Sequence, residues 1–195
     1  MKHVHPGDSP RSTSRRAFLL QAGVAALAAG AATRLRAAPL AEAPRSLAFV
    51  HTHTGERLAA TYYRDGGYLQ PVLSQLNVLL RDFRTERVHP VDPQLFDVLH
   101  GLQQRAGGGE AFHIISGYRS PLTNAQLHAH SSGVAEHSLH MEGRAIDIRL
   151  PGIATSRLAV LARDLRYGGV GYYRVSDFVH VDTGRVRIWG DDTSA

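Results

Sequence analysis

The chain has 195 residues, 43% hydrophobic and 20% charged, a balance that suits one globular domain and excludes a disordered chain. It holds no cysteine, which excludes disulfides, thiolate metal sites and cysteine nucleophiles. The net charge of +5 would suit a nucleic-acid binder, but Lys2, Arg11, Arg15, Arg16, Arg34 and Arg36 all precede residue 38 against one acid, Asp8, leaving 16 basic and 16 acidic groups beyond.

The first element is a leader, residues 1–38. Ser14-Arg15-Arg16-Ala17-Phe18-Leu19-Leu20 opens an apolar, alanine-rich run from Ala17 to Ala32. Paired arginines before a moderately hydrophobic stretch mark a twin-arginine signal, read by the Tat translocase and directing a folded cargo to the periplasm. The run is shorter than the roughly 20 residues that span a bilayer. Membrane association is therefore expected only through an uncleaved signal. Small-x-small cleavage candidates are Ala29-Gly30-Ala31 and the Ala37/Ala38 region.

A domain is expected over 45–195. Residues 46–64 read as a hairpin: Leu47, Phe49 and His51 alternate, Thr54-Gly55 supplies the turn, and Leu58 to Tyr63 returns. His51 and His53 would share a strand face as packing or surface residues. Apolar positions at 69, 72, 73, 76, 79, 80 and 83 predict a helix from Leu69 to Phe83, with Pro71 in its first turn. Asp92 is the expected N-cap of a second helix, which buries Leu95, Phe96, Leu99 and Leu102 and ends at Gly107-Gly108-Gly109. Phe112 to Ile115 and Ala145 to Leu150 read as strands and Thr155 to Arg166 as a helix. Phe178 to Thr183 and Val186 to Trp189 read as a closing antiparallel pair. Helices first and strands mostly later predict an α+β fold with a small antiparallel sheet.

Chemistry concentrates in two segments. In Ser138-Leu139-His140-Met141-Glu142-Gly143-Arg144-Ala145-Ile146-Asp147-Ile148, the apolar neighbours of Asp147 point into the core and leave its carboxylate on the other face. A carboxylate set among apolar strand residues is costly to bury unless paired or metal-bound. In Asp177-Phe178-Val179-His180-Val181-Asp182, His180 emerges in the same way between Val179 and Val181. Two histidines and one carboxylate with a fourth position open to water are a common catalytic zinc set. Such a site also needs a second carboxylate to accept and return a proton.

The pattern S-x-H-x-x-G-x-A-x-D followed by D-x-x-H resembles the zinc peptidases that include D-Ala-D-Ala peptidases, phage L-Ala-D-Glu endolysin peptidases and the hedgehog signalling domain. The segments SGYRSP (116–121), GVAE (133–136), GGVGYY (168–173) and FVHVDTG (178–184) resemble the Tat-exported murein endopeptidases within that group. The resemblance implies a hedgehog-like fold and a Zn2+ ion held by His140, Asp147 and His180. It implies Asp177 as base and Arg119 as the group that binds a substrate carbonyl or carboxylate and steadies the oxyanion. It further implies peptidoglycan as partner and hydrolysis of its peptide cross-links, those with diaminopimelate and the 3-3 type included. Relatives with simple dipeptidase action carry a further histidine beside the last ligand; this chain has Val181-Asp182, which suits the endopeptidase branch.

Alternatives stay open at several positions. Asp182 shares a strand face with His180 and is either the partner that orients this ligand or the proton acceptor itself. His137 is either a neighbour of the metal or substrate, or a surface residue. His128 and His130 read as helix-surface residues, and Ser138 as a brace for the His140 loop. Gly168, Gly169 and Gly171 make no phosphate loop and instead allow a close backbone approach or a sharp turn. Tyr118, Tyr172 and Tyr173 either line a peptide groove or pack together. A metal-holding but inactive peptidoglycan-binding module is the alternative to an enzyme.

Overall fold

A computed structural model of the chain describes residues 42–130 and 134–190, all within a unit spanning Ala41–Ala195. The expected twin-arginine leader over 1–38 and Gly133 of the GVAE segment lie outside the described residues. The expected hairpin forms from β1 (Arg45–His51) and β2 (Arg57–Arg64), antiparallel, with β3 (Gly67–Tyr68) added to the edge of β2. Two helices follow, α1 (Gln70–Leu79) and α2 (Pro93–Arg105). The Asp92 carboxylate accepts from the Gln94 N–H and so caps α2 as its sequence predicts.

Helix α1 stops at Leu79, short of the expected Phe83. Leu80 and Arg81 still donate back to the Leu76 and Val78 carbonyls, but Asp82 and Phe83 are bound elsewhere. The Asp82 N–H donates to the Arg87 carbonyl, and the Phe83 ring stacks on His53 at 4.2 Å. The bridge to Arg87 is local and the stacking on His53 is tertiary, and together they replace one more helical turn.

The second half supplies β4 (Phe112–Ser116), α3 (Pro121–His130), a 3-10 turn (Leu139–Glu142), β5 (Ala145–Arg149), α4 (Thr155–Leu165), β6 (Gly169–Tyr173), β7 (Phe178–Asp182) and β8 (Arg187–Gly190). The strands join in one sheet ordered β3-β2-β1-β4-β5-β7-β6-β8. Two features correct the expectation of a small antiparallel sheet. The sheet has eight strands, and it is mixed, because β1 pairs with β4 and β6 with β8 in parallel. β7 and β8 are not partners. β7 lies between β5 and β6, and the link after Asp182 carries β8 to the far edge of β6. Strand alternation reveals which face a residue takes, not which neighbour its backbone pairs with.

One sheet face carries the core. Phe49, Phe112, Ile114, Ile146, Ile148, Val170, Val179 and Val181 are buried in one cluster with Leu95, Phe96 and Leu99 of α2 and Leu158 and Ala162 of α4. Each fully buried side chain of this kind contributes roughly 1.5–3 kcal/mol. Among the described residues no helix is long and apolar enough to cross a membrane. The side chains that alternate with the core residues, Asp147 on β5 with His180 and Asp182 on β7, take the opposite face.

Candidate metal centre

The antiparallel register sets Asp147 directly across from His180, which brings two of the expected ligands together without any loop. His140 arrives from the 3-10 turn. Ser138 caps that turn, its hydroxyl accepting from the His140 N–H at 3.4 Å, so it braces the loop as expected. Gly143 ends the turn at φ +67, and a Cβ there would also collide with the Pro90 carbonyl. The Arg119 N–H donates to the His140 carbonyl at 3.1 Å, tying the turn to the segment after β4.

The three side chains converge. His180 Nδ1 lies 2.9 Å from Asp147 Oδ1, His140 Nε2 lies 3.3 Å from the same oxygen, and the two ring nitrogens are 3.2 Å apart. All three residues are buried. Ligand atoms held tetrahedrally at zinc distances stand roughly 3.3 Å from one another. The triangle therefore has the size of one face of such a coordination shell.

The outer contacts decide what these atoms present inward. His140 Nδ1 faces the Gly117 carbonyl at 2.7 Å, an oxygen that can only accept, so Nδ1 carries the proton and Nε2 offers a lone pair. His180 Nε2 faces Asp182 Oδ2 at 3.1 Å, and by the same reasoning His180 Nδ1 offers a lone pair. With the Asp147 carboxylate, three acceptors meet with no proton assigned between them. A divalent cation satisfies that set. The donor chemistry, imidazole with carboxylate, suits zinc.

Protonation follows the same contacts. Burial drives the His140 pKa down, more than the neighbouring Asp147 raises it. Burial would raise the Asp147 pKa, but the two histidines beside it hold its carboxyl far below the usual range. His180 is also disfavoured as a cation by burial, yet Asp147 and Asp182 on either side raise its pKa, so a proton and a divalent cation compete for its Nδ1 lone pair.

Asp182 is buried and saturated. Besides His180, its carboxylate accepts from the Gly169 N–H at 2.9 Å, the Gly184 N–H at 2.8 Å and both terminal nitrogens of Arg187. Burial pushes its pKa up and these donors more than reverse that. Of the two alternatives for Asp182, the geometry matches the ligand-orienting one; no oxygen is left to take a proton from a cavity water.

Asp177 is not brought to the cluster. It sits at φ +52 in the turn between β6 and β7, exposed, with Oδ1 accepting from the Thr155 hydroxyl at 2.7 Å and Oδ2 paired with Arg149 at 3.3 Å. The expected base thus faces the start of α4. Its left-handed turn conformation just before β7, together with the pull of Thr155 and Arg149, sends the carboxylate away from the face that carries His180. His137 is exposed at the cavity rim, and His128 and His130 are exposed on α3 as expected.

Arg119 is buried beside the centre. One terminal nitrogen lies 3.6 Å from Asp147 Oδ2 and 3.4 Å from the Ser116 hydroxyl, the other 3.5 Å from Asn124 Oδ1, and Nε has no partner among the described residues. Burial lowers its pKa, against the pull of Asp147. A buried guanidinium held only by long contacts is under-satisfied, and it faces a cavity of about 370 Å³ that it lines with the three converging residues.

Across that cavity stand Tyr173, one of the tyrosines expected either to line a groove or to pack, and Trp189, for which the sequence offered no sign of a role. Trp189 on β8 lies 5.0 Å from the His180 ring, its indole N–H donating to the Tyr173 hydroxyl at 2.9 Å. The glycines before Tyr172 explain this packing. A Cβ on Gly171 would come 2.6 Å from the indole, and one on Gly169 would strike the Asp182 carboxylate and the Arg187 guanidinium. None of the three glycines from 168 to 171 needs a positive φ, so their service is close approach and not a turn.

A buried two-histidine, one-carboxylate group on the free face of a sheet, opening to a cavity with an arginine at its wall, defines a candidate catalytic metal centre. The chain belongs to the peptidoglycan L,D-endopeptidase MepK family, whose model matches residues 39–189. It is 43% identical over 176 residues to peptidoglycan L,D-endopeptidase MepK of Escherichia coli (strain K12), covering 90% of this chain and 97% of that protein. It is 44% identical over 147 residues to the probable peptidoglycan L,D-endopeptidase MepK of Haemophilus influenzae, covering 75% of this chain and 79% of that one. No solved structure matched the chain.

Proposed function

We propose that the chain is a zinc-dependent murein endopeptidase of the periplasm, delivered by the Tat translocase, that hydrolyses amide bonds in peptidoglycan peptide cross-links. Cross-links containing diaminopimelate, the 3-3 type included, are the proposed substrates. The observation that carries this reading is the convergence of His140 Nε2, Asp147 Oδ1 and His180 Nδ1 within 2.9–3.3 Å, each with its lone pair turned inward. The names of the relatives and the extent of the family match support the substrate class.

A zinc ion held by these three residues would lower the pKa of water toward neutrality and polarise a carbonyl. The chain's own residues supply the rest. Asp182 and the Gly117 carbonyl lock the two imidazoles in the tautomers that leave inward lone pairs. Arg119 turns an under-satisfied guanidinium on the cavity, suited to a carboxylate of the cross-link or to negative charge growing on the amide oxygen. Asp177 keeps its proposed role as base on one condition: its carboxylate must leave both Thr155 and Arg149 and swing to the cavity, which the neighbouring Ser176 and Phe178 already line.

Purified sacculi treated with the zinc-loaded protein, followed by muropeptide analysis, test the reading. Loss of cross-linked dimers is expected, abolished in His140→Ala. A zinc-loaded wild type that leaves every cross-link intact would favour the binding module instead. Asp177→Asn separates the base: undiminished cleavage removes Asp177 from the mechanism.

A further inference from the structure

Tyr173 and Trp189 form a pair that neither the metal ligands nor Arg119 require. Gly171, Tyr173, His180 and Trp189 share one sheet face: Gly171 is the cross-strand partner of both His180 and Trp189, and Tyr173 stands two residues further along the same strand. The phenol ring of Tyr173 stacks on Phe178 with centroids 4.5 Å apart and planes 19° apart. Its hydroxyl oxygen accepts from the Trp189 indole N–H at 2.9 Å. The indole in turn is held by the Arg187 guanidinium 4.7 Å from its ring and by the missing side chain of Gly171.

Hydrogen-bond accounting on that hydroxyl is decisive. An indole N–H can only donate, so it occupies the acceptor side of the Tyr173 oxygen and leaves the phenolic proton to be given elsewhere. Among the described residues no protein group takes it. Tyr173 lines the same cavity as His140, Asp147 and His180, so a molecule entering that cavity can supply the missing acceptor. A donor with a fixed ring plane, an occupied acceptor side and no protein partner is already oriented before any substrate enters. That is the arrangement by which a fixed dipole stabilises charge at little reorganisation cost.

We infer that Tyr173 is a catalytic residue whose hydroxyl donates a hydrogen bond to the oxygen of the scissile amide as it becomes an oxyanion, with Trp189 as the positioning residue that aims it. Tyr173 does not transfer its proton in this role. It keeps the O–H bond and stabilises charge, alongside Arg119. The inference rests on the peptidase reading proposed above.

The test compares wild type, Tyr173→Phe and Trp189→Phe, all zinc-loaded, on a diaminopimelate-containing L,D-cross-linked muropeptide dimer. Tyr173→Phe is expected to lose roughly 10²-fold in kcat, the scale of one oxyanion donor, with KM little changed. Trp189→Phe keeps the aromatic wall but drops the N–H, and a smaller kcat loss with unchanged KM is expected. A readout independent of turnover is the affinity for a phosphinate dipeptide with alanine side chains, whose tetrahedral oxygens imitate the oxyanion. Because Trp189 is the single tryptophan of the chain, its fluorescence reports binding in wild type and Tyr173→Phe. Weaker phosphinate binding by Tyr173→Phe at undiminished zinc content supports the assignment. A wild type that cleaves, beside a Tyr173→Phe with full kcat and full phosphinate affinity, overturns this inference alone. A zinc-loaded wild type that does not cleave overturns the peptidase reading and the inference with it.

Discussion

Asp182 illustrates how much a single buried carboxylate can settle at this site. Five donors share its two oxygens: one imidazole, two backbone N–H groups and two guanidinium nitrogens. A residue so bound is spent on orientation. Asp182→Asn keeps the shape but replaces an acceptor-only group by one with its own N–H, which disturbs the His180 tautomer. Zinc affinity is expected to fall roughly 10- to 100-fold, read by competition with a chromogenic chelator, while the unfolding transition of the metal-free protein moves far less than the affinity. At the same scale, His140 and Asp147 were legible in the sequence because H-x-x-G-x-A-x-D places one ligand before a glycine-ended turn and the other inside an apolar strand. Trp189 was not, and Tyr173 only as one of two open alternatives, since aromatic residues on strands carry the same signature whether they pack or line a site.

At the scale of elements, two short devices hold the ligand-bearing segments in place. The first is the turn ending at Gly143. A β-carbon there meets both a left-handed φ and the Pro90 carbonyl, so Gly143→Ala is expected to cost about 3 kcal/mol in urea unfolding and to weaken zinc binding through His140. The second is Asp82, buried just past α1, whose carboxylate accepts from the Ser120 and Arg84 N–H groups. It thereby ties the loop after α1 to the residue following Arg119. Burial works to raise its pKa, but hydrogen bonds from Ser120, Thr123 and the backbone prevail and lower it from the ordinary 3.8 to about 2. The folded state therefore favours the ionised form. Its contribution, on the order of 2 kcal/mol, is fully present above about pH 4 and is lost as pH falls through about 2. Urea unfolding of wild type and Asp82→Asn across that window should show a stability gap at pH 6 that narrows on acidification. A gap independent of pH would mean that the carboxylate charge is not what stabilises this junction. Elements of this kind lie beyond periodicity: α1 ends where distant groups claim Asp82 and Phe83, and nothing in the local pattern of residues 69–83 announces those partners.

For the whole molecule, the three candidate ligands come from a turn and two strands separated by up to 40 residues, so they converge only in the folded state. A metal that binds this arrangement and not the unfolded chain must stabilise it, by about 2.7 kcal/mol at a free concentration of 100 times Kd. Calorimetry should show Tm rising with zinc and falling on treatment with a chelator. His140→Ala should abolish the zinc-dependent shift, and a zinc shift that persists in that variant would place the metal elsewhere. The balance of 16 basic against 16 acidic groups from residue 38 onward leaves that part of the chain without a dominating net charge, so recognition falls to local groups such as Arg119.

Read alone, the amino-acid order already determined the hairpin β1–β2, the approximate extents of α1, α2 and α4 and of strands β4, β5, β7 and β8, the exclusion of thiol chemistry and the three residues of the candidate metal group. It did so because apolar alternation and ligand spacing are local properties that a linear chain displays. The tertiary structure decided the rest: the mixed eight-stranded sheet, the separation of β7 from β8, the burial of Asp182 behind His180, the turning of Asp177 toward α4, and the approach of Trp189 to Tyr173. Each of these depends on which strand lies beside which. That choice is made by packing and backbone pairing over the whole sheet, where contacts between residues far apart in sequence outweigh what any short segment prefers.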